Sequence, residues 1–363
     1  MGGGREPSQH GTQDLFVPCS TLYELGESWV VVPTVCPFQS ETASSASVIP
    51  SDSDVLDPRG VVDAMGLPAA RIRRIAHRRN TYWLVETPSQ QVVLCRYAPD
   101  RVHSDVAYEL RLLEHLARRG WPVPTPVAPL VEGAHAIWGG FRYLSGRPPA
   151  PRSIVGARAE QRRRGQLLAQ LHADLAEVVG MGQREGWRRA DEGLFEPTGQ
   201  LPVDAILVQY ERASPEAGRV LRVYADRMRE RLSALLPDAP APVMIHGDFT
   251  PWNLRYARGH LSGVLDFEMA HLDLRVADFA LSWRGQYDAV VRGYADVAPL
   301  DPVEQELLVP IYWAWMLGAA VAGIAAGDAN VDWAVRHLLR TESVRAERSP
   351  SPLPRSTRAT PGA

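Results

Sequence analysis

Apolar positions recur along the chain with two different periods, which predict strands first and helices later. Residues 91–97 alternate with a period of two and residues 82–85 form another short apolar run, so both segments are predicted strands. Residues 104–120 and 157–179 repeat apolar positions every three or four residues, which predicts two amphipathic helices. Residues 307–327 carry no charge, and we interpret them as a buried helix because proline, glycine and alanine keep them weakly hydrophobic.

A second group of short elements surrounds the loop at residues 246–253, whose sequence is His-Gly-Asp-Phe-Thr-Pro-Trp-Asn. Residues 243–245 form a predicted strand that enters the loop. Residues 254–256 and 261–265 form a predicted hairpin, with its turn at residues 258–259. The loop is thus predicted to lie between two stretches of β-structure.

Three side chains in and after this loop have the chemistry of a phosphotransferase site. The Asp248 carboxylate is able to accept the proton of a substrate hydroxyl. Antiparallel pairing in the hairpin places Asn253 roughly opposite Asp266, so that one ion could touch both. Their side-chain oxygens are the hard ligands that Mg²⁺ prefers when it bridges nucleotide phosphates. We therefore predict Asp248 as the catalytic residue, either as a base or as the group that orients the substrate, and Asn253 and Asp266 as metal ligands.

The same segment resembles the HGDxxxxN motif of the aminoglycoside phosphotransferase and choline kinase-like family of small-molecule kinases. Asp266-Phe267-Glu268 resembles the family's DFG-like metal element, and residues 271–280 resemble its GDPxxDLA segment. The resemblance covers roughly residues 57–345. It implies an α+β, bilobal, protein-kinase-like fold with a small β-rich N-lobe and a larger, mainly helical C-lobe. It also implies ATP as the donor, with GTP left open, together with Mg²⁺ and a small-molecule acceptor.

The resemblance assigns nucleotide contacts upstream of the loop. Arg96 resembles the family's phosphate-contacting basic residue, and strand alternation puts it on the same face as Val92 and Leu94. Glu109 falls on the apolar stripe of the following helix. Because a buried unpaired ion costs several kcal/mol, we predict an Arg96–Glu109 ion pair, with solvent exposure of Glu109 as the alternative.

Further contacts with the nucleotide are implied by chain order. Asn80 precedes Tyr82 at the position of the phosphate-covering loop, where this chain has no glycine. Phe141, Arg142 and Tyr143 end a predicted strand at the position of the family's hinge, whose backbone groups bind the base. We include these four residues, Asn80 and the three hinge residues, among the predicted cofactor-binding positions.

Composition agrees with an enzyme that works in the cytoplasm. The 363 residues are 45% apolar, and the formal net charge of −3 gives no footprint for nucleic acid or membrane partners. All 39 basic residues are arginine, which excludes a P-loop and Schiff-base chemistry, since both need lysine. The three cysteines have no paired or zinc-binding spacing, which fits a reducing compartment.

The predicted organisation has four parts. Residues 1–54 form a flexible N-terminal extension, 55–143 the N-lobe, 144–345 the C-lobe and 346–363 a disordered tail. The sequence leaves the oligomeric state and the acceptor unassigned, with aminoglycoside-, amino alcohol- and homoserine-like molecules all in view. A catalytically inactive nucleotide-binding or ligand-binding protein is the alternative to a kinase. A protein kinase is disfavoured because HRD, DFG and APE motifs are missing from the sequence.

Overall fold

The computed structural model describes residues 22–25, 28–31, 57–77, 79–133, 136–192, 202–327 and 330–348. The predicted extension and tail lie largely outside these residues, as do Cys19 and Cys36. The strands, in chain order, are β1 Leu22–Leu25, β2 Ser28–Val31, β3 Arg71–His77, β4 Thr81–Glu86, β5 Gln91–Arg96, β6 Val131–Gly133, β7 Ala136–Arg142, β8 Val243–Ile245, β9 Leu254–Ala257, β10 His260–Val264 and β11 His271–Asp273. The helices are α1 Pro58–Ala64, α2 His103–Arg118, α3 Ile154–Leu175, α4 Val203–Ala213, α5 Pro215–Leu235, α6 Ala280–Trp283, α7 Asp288–Ala295, α8 Pro302–Ala325 and α9 Asp332–Arg348.

A five-stranded antiparallel sheet, in the order β3-β4-β5-β7-β6, forms the N-terminal lobe. Its central strand β5 is buried on both faces. Val92 and Leu94 pack with α1 on one face, whereas Val93 and Cys95 point to the other face. Helix α2 lies on this second face, and its Leu112 joins the main core. The predicted strands and the predicted helix at 104–120 are confirmed within two residues.

Helices dominate the chain after residue 153. Helix α3 begins at Ile154, three residues before the predicted start at 157. Ser153 caps it, because its side chain accepts a hydrogen bond from the Gly156 amide. Helix α3 crosses α7 at close range. A Cβ added to Gly165 would lie only 1.9 Å from the Val290 carbonyl oxygen. Only glycine allows the two backbones to approach this closely.

Helix α8 contains the uncharged segment and lies in the centre of the helical lobe. Among the described residues it is the one helix long and apolar enough to cross a membrane, and 72% of its most apolar window is buried inside the fold. Trp313 and Thr341 of the neighbouring helix form a hydrogen bond of 2.7 Å in its core. The prediction of a buried helix is therefore confirmed for residues 307–321, whereas the helix ends at Ala325 and residues 325–327 are exposed.

Two small antiparallel pairs hold the polar loop between the sheet and the helices. Strand β8 pairs with β11 in the register Ile245↔His271. Strands β9 and β10 form the predicted hairpin, and Arg258 and Gly259 at its turn both have positive φ angles. The loop at 246–253 therefore begins at the end of one pair and leads into the other.

Candidate active site

Asp248 and Asn253 meet inside the loop. The amide Nδ2 of Asn253 donates hydrogen bonds to the Asp248 side chain at 2.8 Å and to the Asp248 backbone oxygen at 2.9 Å. Both residues are buried. A 3₁₀ turn at Pro251–Asn253 brings the amide back over the carboxylate. Two of the three predicted catalytic and metal residues are thus in direct contact.

Asp278 anchors the start of the loop through its carboxylate. Its carboxylate accepts hydrogen bonds from the backbone amides of His246 and Gly247, each at 2.7 Å, and from Nε2 of His172 at 2.9 Å. Burial alone would raise the pKa of Asp278, but the hydrogen bond from His172 and the two nearby imidazoles hold it below its ordinary value. Asp278 therefore stays ionised and fixes the loop. Sequence reasoning missed this anchor, although residues 271–280 carried the resemblance to the family.

His246 braces the loop by contacts of its ring with two backbone groups. Its ring hydrogen-bonds to the Leu265 carbonyl oxygen at 3.0 Å and to the Asp248 amide at 3.1 Å. Burial lowers the pKa of His246 to about 4, so the ring is neutral at pH 7. A neutral imidazole donates from one nitrogen and accepts at the other, which matches the two contacts.

Gly247 gives the loop its turn. Its φ is +84°, and a Cβ at this position would lie 2.4 Å from the backbone oxygen of Met269. An alanine would be both strained and in collision with backbone, so the tight approach of the loop to residue 269 requires glycine.

The environment of Asp248 gives its carboxyl the strength of a base suited to neutral pH. Burial raises its pKa from an ordinary 3.8 to about 7, and the hydrogen bond from Asn253 and the charge of Arg284 only partly oppose this. A base whose pKa lies near the working pH combines a large ionised fraction with a strong pull on a proton.

Asp266 follows the hairpin at the predicted register. The Leu265 amide donates to the Asn253 backbone oxygen at 2.8 Å, so Asp266 lies one residue beyond the paired position. It has a left-handed φ of +71°, an uncommon backbone conformation for an aspartate. The side-chain oxygen of Asn253, Oδ1, is buried and has no hydrogen-bond partner among the described residues. An oxygen left in this way suits a cation, so the two predicted metal ligands fit Mg²⁺.

Groups of three or more His, Cys, Asp or Glu side chains able to hold a metal do not occur in the described residues. That absence does not conflict with Mg²⁺, which proteins usually hold with one or two carboxylates while substrate phosphates and water complete its shell.

A cleft opens beside Asp266, between the sheet and the segment after the hairpin. Its lining residues come from β4, β5 and the positions next to them, from α2 and the segment that follows it, from the end of β7 and the segment that follows it, and from residues 265–268: they are Asn80, Tyr82, Val93, Cys95, Tyr97, Glu109, Leu113, Pro124, Phe141, Arg142, Leu144, Leu265, Asp266, Phe267 and Glu268. Predicted cofactor-binding positions Asn80, Glu109, Phe141 and Arg142 are among them, whereas Arg96 and Tyr143 are not.

The predicted Arg96–Glu109 ion pair is wrong. Arg96 lies opposite Trp138 in the β5–β7 register, and its guanidinium carbon is 5.9 Å from the centre of the Trp138 ring. Trp138 belongs to the core on the α1 face of the sheet. Cys95, not Arg96, points into the cleft, so the assignment of Arg96 to the phosphates has no support from its position.

Arg101, in the loop before α2, takes the place predicted for Arg96. Its Nη2 lies 2.8 Å from Oε2 of Glu109, and its Nη1 lies 3.4 Å from Oε2 of Glu268. Asp105 forms a third ion pair with it and also contacts Arg184. The buried carboxylate of Glu109 is thus paired as expected, but with a loop arginine.

Asn80 is held at the cleft by three hydrogen bonds. Its Nδ2 donates to Glu268 at 2.8 Å and to the Tyr82 hydroxyl at 3.2 Å, and its Oδ1 accepts from the Ala98 amide at 2.9 Å. At the hinge, the amides of Arg142 and Tyr143 donate to the backbone oxygens of Thr125 and Gln91. These two N–H groups are therefore not available to a bound base.

Comparison with known proteins supplies the family. Residues 71–308 match the family described as the phosphotransferase enzyme family. The chain belongs to this family. Among curated members, it is 29% identical over 240 residues to a homoserine kinase of Rhizobium johnstonii, covering 62% of this chain and 70% of the relative. It is 30% identical over 259 residues to a homoserine kinase of a Chelativorans species, covering 63% and 71%.

Solved structures of the family share the fold. A thermostable mutant of aminoglycoside phosphotransferase APH(4)-Ia, in a ternary complex with ADP and hygromycin B, superposes with a TM-score of 0.54 at 14% identity and covers 81% of this chain and 99% of its own. A microcompartment-associated aminopropanol kinase superposes with a TM-score of 0.53 at 17% identity and covers 79% and 98%. The predicted α+β, protein-kinase-like fold is confirmed, and this family member is a small-molecule kinase.

Proposed function

We propose that the protein transfers the γ-phosphate of ATP to a hydroxyl group of a small molecule, with Asp248 as the base. The observation that carries the proposal is the Asp248–Asn253 contact at 2.8 Å, in a loop whose carboxyl has a pKa of about 7. The acceptor oxygen bonds to the γ-phosphorus while the bond to the bridging β–γ oxygen breaks. The hydroxyl proton passes to Asp248, and ADP leaves.

The charges around the cleft support a requirement for Mg²⁺. The cleft is lined by three carboxylates, those of Glu109, Asp266 and Glu268. The opposing positive charges are Arg142 and the guanidinium of Arg101, which is already paired with Glu109. A nucleotide polyphosphate would meet net repulsion here without added cations. Mg²⁺, when bound by Asn253 and Asp266, would neutralise phosphate charge and orient the γ-phosphoryl group. GTP remains an alternative donor, and we expect the enzyme to work in the cytoplasm, where nucleoside triphosphates are available.

The hinge contacts follow from the hydrogen bonds already made. The amides of Arg142 and Tyr143 are used within the sheet, so we expect a purine to be bound by the carbonyl oxygens of this segment and by the Leu144 amide. Phe141 and Leu144 would pack against its faces from the cleft wall.

An ADP-release assay tests the proposal, with a panel of amino alcohols, hydroxy amino acids, sugars and aminoglycosides as acceptors. Asp248→Ala should lower kcat by a factor of about 100 to 10,000 while the Kd of MgATP stays nearly constant. Asp296→Ala is a matched control, since Asp296 is exposed and pairs with Arg162 on the surface. Turnover that survives in Asp248→Ala would refute the role of the base.

A further inference from the structure

Arg284 lies against the catalytic loop from the side of the helical lobe. It follows α6 with a left-handed φ of +53°, a conformation that non-glycine residues seldom adopt outside functional or strained positions. Its guanidinium carbon lies 4.7 Å from the centre of the Trp252 ring. Trp252 belongs to the loop itself, between Asp248 and Asn253 in sequence. The stacked pair is therefore next to the proposed site of reaction.

Both members of this pair present a buried donor that the protein does not use. Nη2 of Arg284 and Nε1 of Trp252 are buried and have no hydrogen-bond partner among the described residues. The Nε of Arg284 donates to the Leu281 carbonyl oxygen at 3.1 Å, which fixes the plane of the guanidinium. Leaving two buried donors unsatisfied is unfavourable, and a ligand that accepts both hydrogen bonds would remove that cost. The ligand must offer acceptors to two donors, one of them cationic, which is the chemistry of an anion.

The surroundings of Arg284 add positive charge on this side. Burial, followed by the charges of Arg340, Arg284 and Arg336, lowers the pKa of His337 to about 3. The positive charge of Arg284 also reaches Asp248, whose pKa it lowers against the effect of burial. In the described part of the chain, Arg284 forms no ion pair within 4 Å. The positive charge on this side of the site is therefore close enough to Asp248 to affect its pKa.

We propose that Arg284 and Trp252 bind a carboxylate of the acceptor, which makes the substrate a hydroxy acid or hydroxy amino acid. This inference rests on the proposed function. A planar guanidinium matches a carboxylate with two parallel hydrogen bonds, and the indole N–H adds a third. Neither residue is among those that line the cleft assigned to the nucleotide. The anion that they bind therefore belongs to the acceptor side.

The inference separates two acceptors that the relatives suggest. Homoserine carries a carboxylate, an amine and a primary hydroxyl, whereas 3-aminopropan-1-ol is the same molecule without the carboxylate. 4-Hydroxybutanoate keeps the carboxylate and hydroxyl but lacks the amine. A site that holds the carboxylate with charge-assisted bonds should favour homoserine over 3-aminopropan-1-ol by at least about 100-fold in kcat/KM. It should retain measurable binding of 4-hydroxybutanoate.

The experiment measures kcat/KM for these acceptors and KM for ATP in wild type and variants. Arg284→Met keeps the stacked stem but loses the charge, so the preference for homoserine should fall to within a few-fold. Arg284→Lys should keep an intermediate preference and shows whether the fold tolerates change at this position. Trp252→Phe keeps the ring without its N–H and should reduce the preference about 10-fold. Arg292→Met, on the exposed side of α7, is the control and should change nothing.

Three results decide the matter. Equal wild-type kcat/KM for homoserine and 3-aminopropan-1-ol would overturn the inference and leave the kinase function intact. A rise in KM for ATP in Arg284→Met, or an equal loss with both acceptors, would assign Arg284 to the phosphates and also overturn it. If no acceptor releases ADP, calorimetric titration decides: binding of 4-hydroxybutanoate that weakens in Arg284→Met supports the carboxylate site, whereas no binding refutes it. The failure of turnover itself would count against the proposed function.

Discussion

Replacing Asp248 by asparagine should stabilise the protein while abolishing phosphoryl transfer. Asparagine has the shape of aspartate and keeps an oxygen for the Asn253 amide, which now lies 2.8 Å from the carboxylate. The substitution removes only the charge and the ability to take up a proton. Any gain in stability therefore reports what the fold pays to keep an ionised carboxylate in a buried loop.

The pKa of Asp248 gives the magnitude. Burial raises it to about 7 from an ordinary value of 3.8, so the folded protein binds this proton more tightly than the unfolded chain does. The stability that proton binding contributes is complete below pH 3.8 and is lost as the pH rises through about 7. At about 1.4 kcal/mol for each pKa unit, the ionised group costs about 4 kcal/mol at pH 8 and about 2 kcal/mol at pH 5.5.

The assay is urea unfolding followed by tryptophan fluorescence at these two pH values. Asp248→Asn does not titrate, so its advantage in free energy of unfolding over wild type should grow by about 2 kcal/mol from pH 5.5 to pH 8. In the same preparation kcat should be reduced at least about 100-fold, since the variant has no base. A stability difference that stays constant with pH, or that favours wild type at pH 8, would refute the reasoning.

Asp278→Asn is the matched control, because Asp278 is equally buried and holds the same loop. Its pKa is below the ordinary value, and three donors contact its carboxylate. Its contribution to stability is therefore present at all pH values above the ordinary aspartate pKa and is lost only as the pH falls below it. The variant should be less stable than wild type at both pH 5.5 and pH 8, with little change between them.

The remaining predictions concern the site and its supports. Asp266→Ala should abolish the Mg²⁺-dependent part of ATP binding, measured by calorimetry with and without EDTA; unchanged binding would contradict its role as a ligand. Arg101→Met should destabilise the protein by about 3 kcal/mol or more, because the carboxylate of Glu109 stays buried but loses its ion-pair partner. Arg96→Met should change the stability by less than about 1 kcal/mol, since the guanidinium of Arg96 contacts the Trp138 ring and not a buried carboxylate. In wild type, kcat/KM should rise with pH to a plateau with a midpoint near pH 7, the pKa of Asp248, and a profile flat from pH 5 to 9 would exclude it as the base.

Those parts of the site that lie close together in sequence could be predicted without coordinates. The hairpin register that brings Asp266 next to Asn253 depends on a short turn and on a bulge between Leu261 and Gly263, and the hydrogen bond from the Asp248 amide to His246 joins residues two apart. In both cases local chain geometry decides the contact, so the spacing of residues carries the information.

The error over Arg96 has a different physical origin. Alternation correctly groups Arg96 with Val92 and Leu94, but both faces of β5 are buried and apolar, so the pattern does not tell which face borders the cleft. The true partner of Glu109 is Arg101, which precedes it by eight residues and Asp105 by four. Asp105 and Glu109 are four residues apart on one side of α2, but Arg101 lies in the loop before the helix, so helical spacing did not indicate this partner.

Contacts between distant segments could not be predicted. The anchor at Asp278 joins residues separated by 32 and 106 positions, and the Arg284–Trp252 stack joins two loops. Such pairs depend on how α3, α6 and β8 pack in three dimensions, and one sequence gives no measure of that. The motif therefore supplied the proposed reacting groups but not the groups that contact them from distant segments.

Opposite charges reach Asp248 from two directions, and this limits the acceptors that fit. Glu268 raises the pKa of Asp248 while Arg284 lowers it, so the base lies between an acidic cleft and a basic acceptor side. A polycationic acceptor would be repelled by Arg284 and drawn toward the cleft that the Mg²⁺-bound nucleotide is proposed to fill. Among the acidic residues able to attract such an acceptor, Asp191 and Asp273 already pair with Arg189 and the Ala190 amide. The charge distribution thus favours an acceptor with its own negative group over an aminoglycoside.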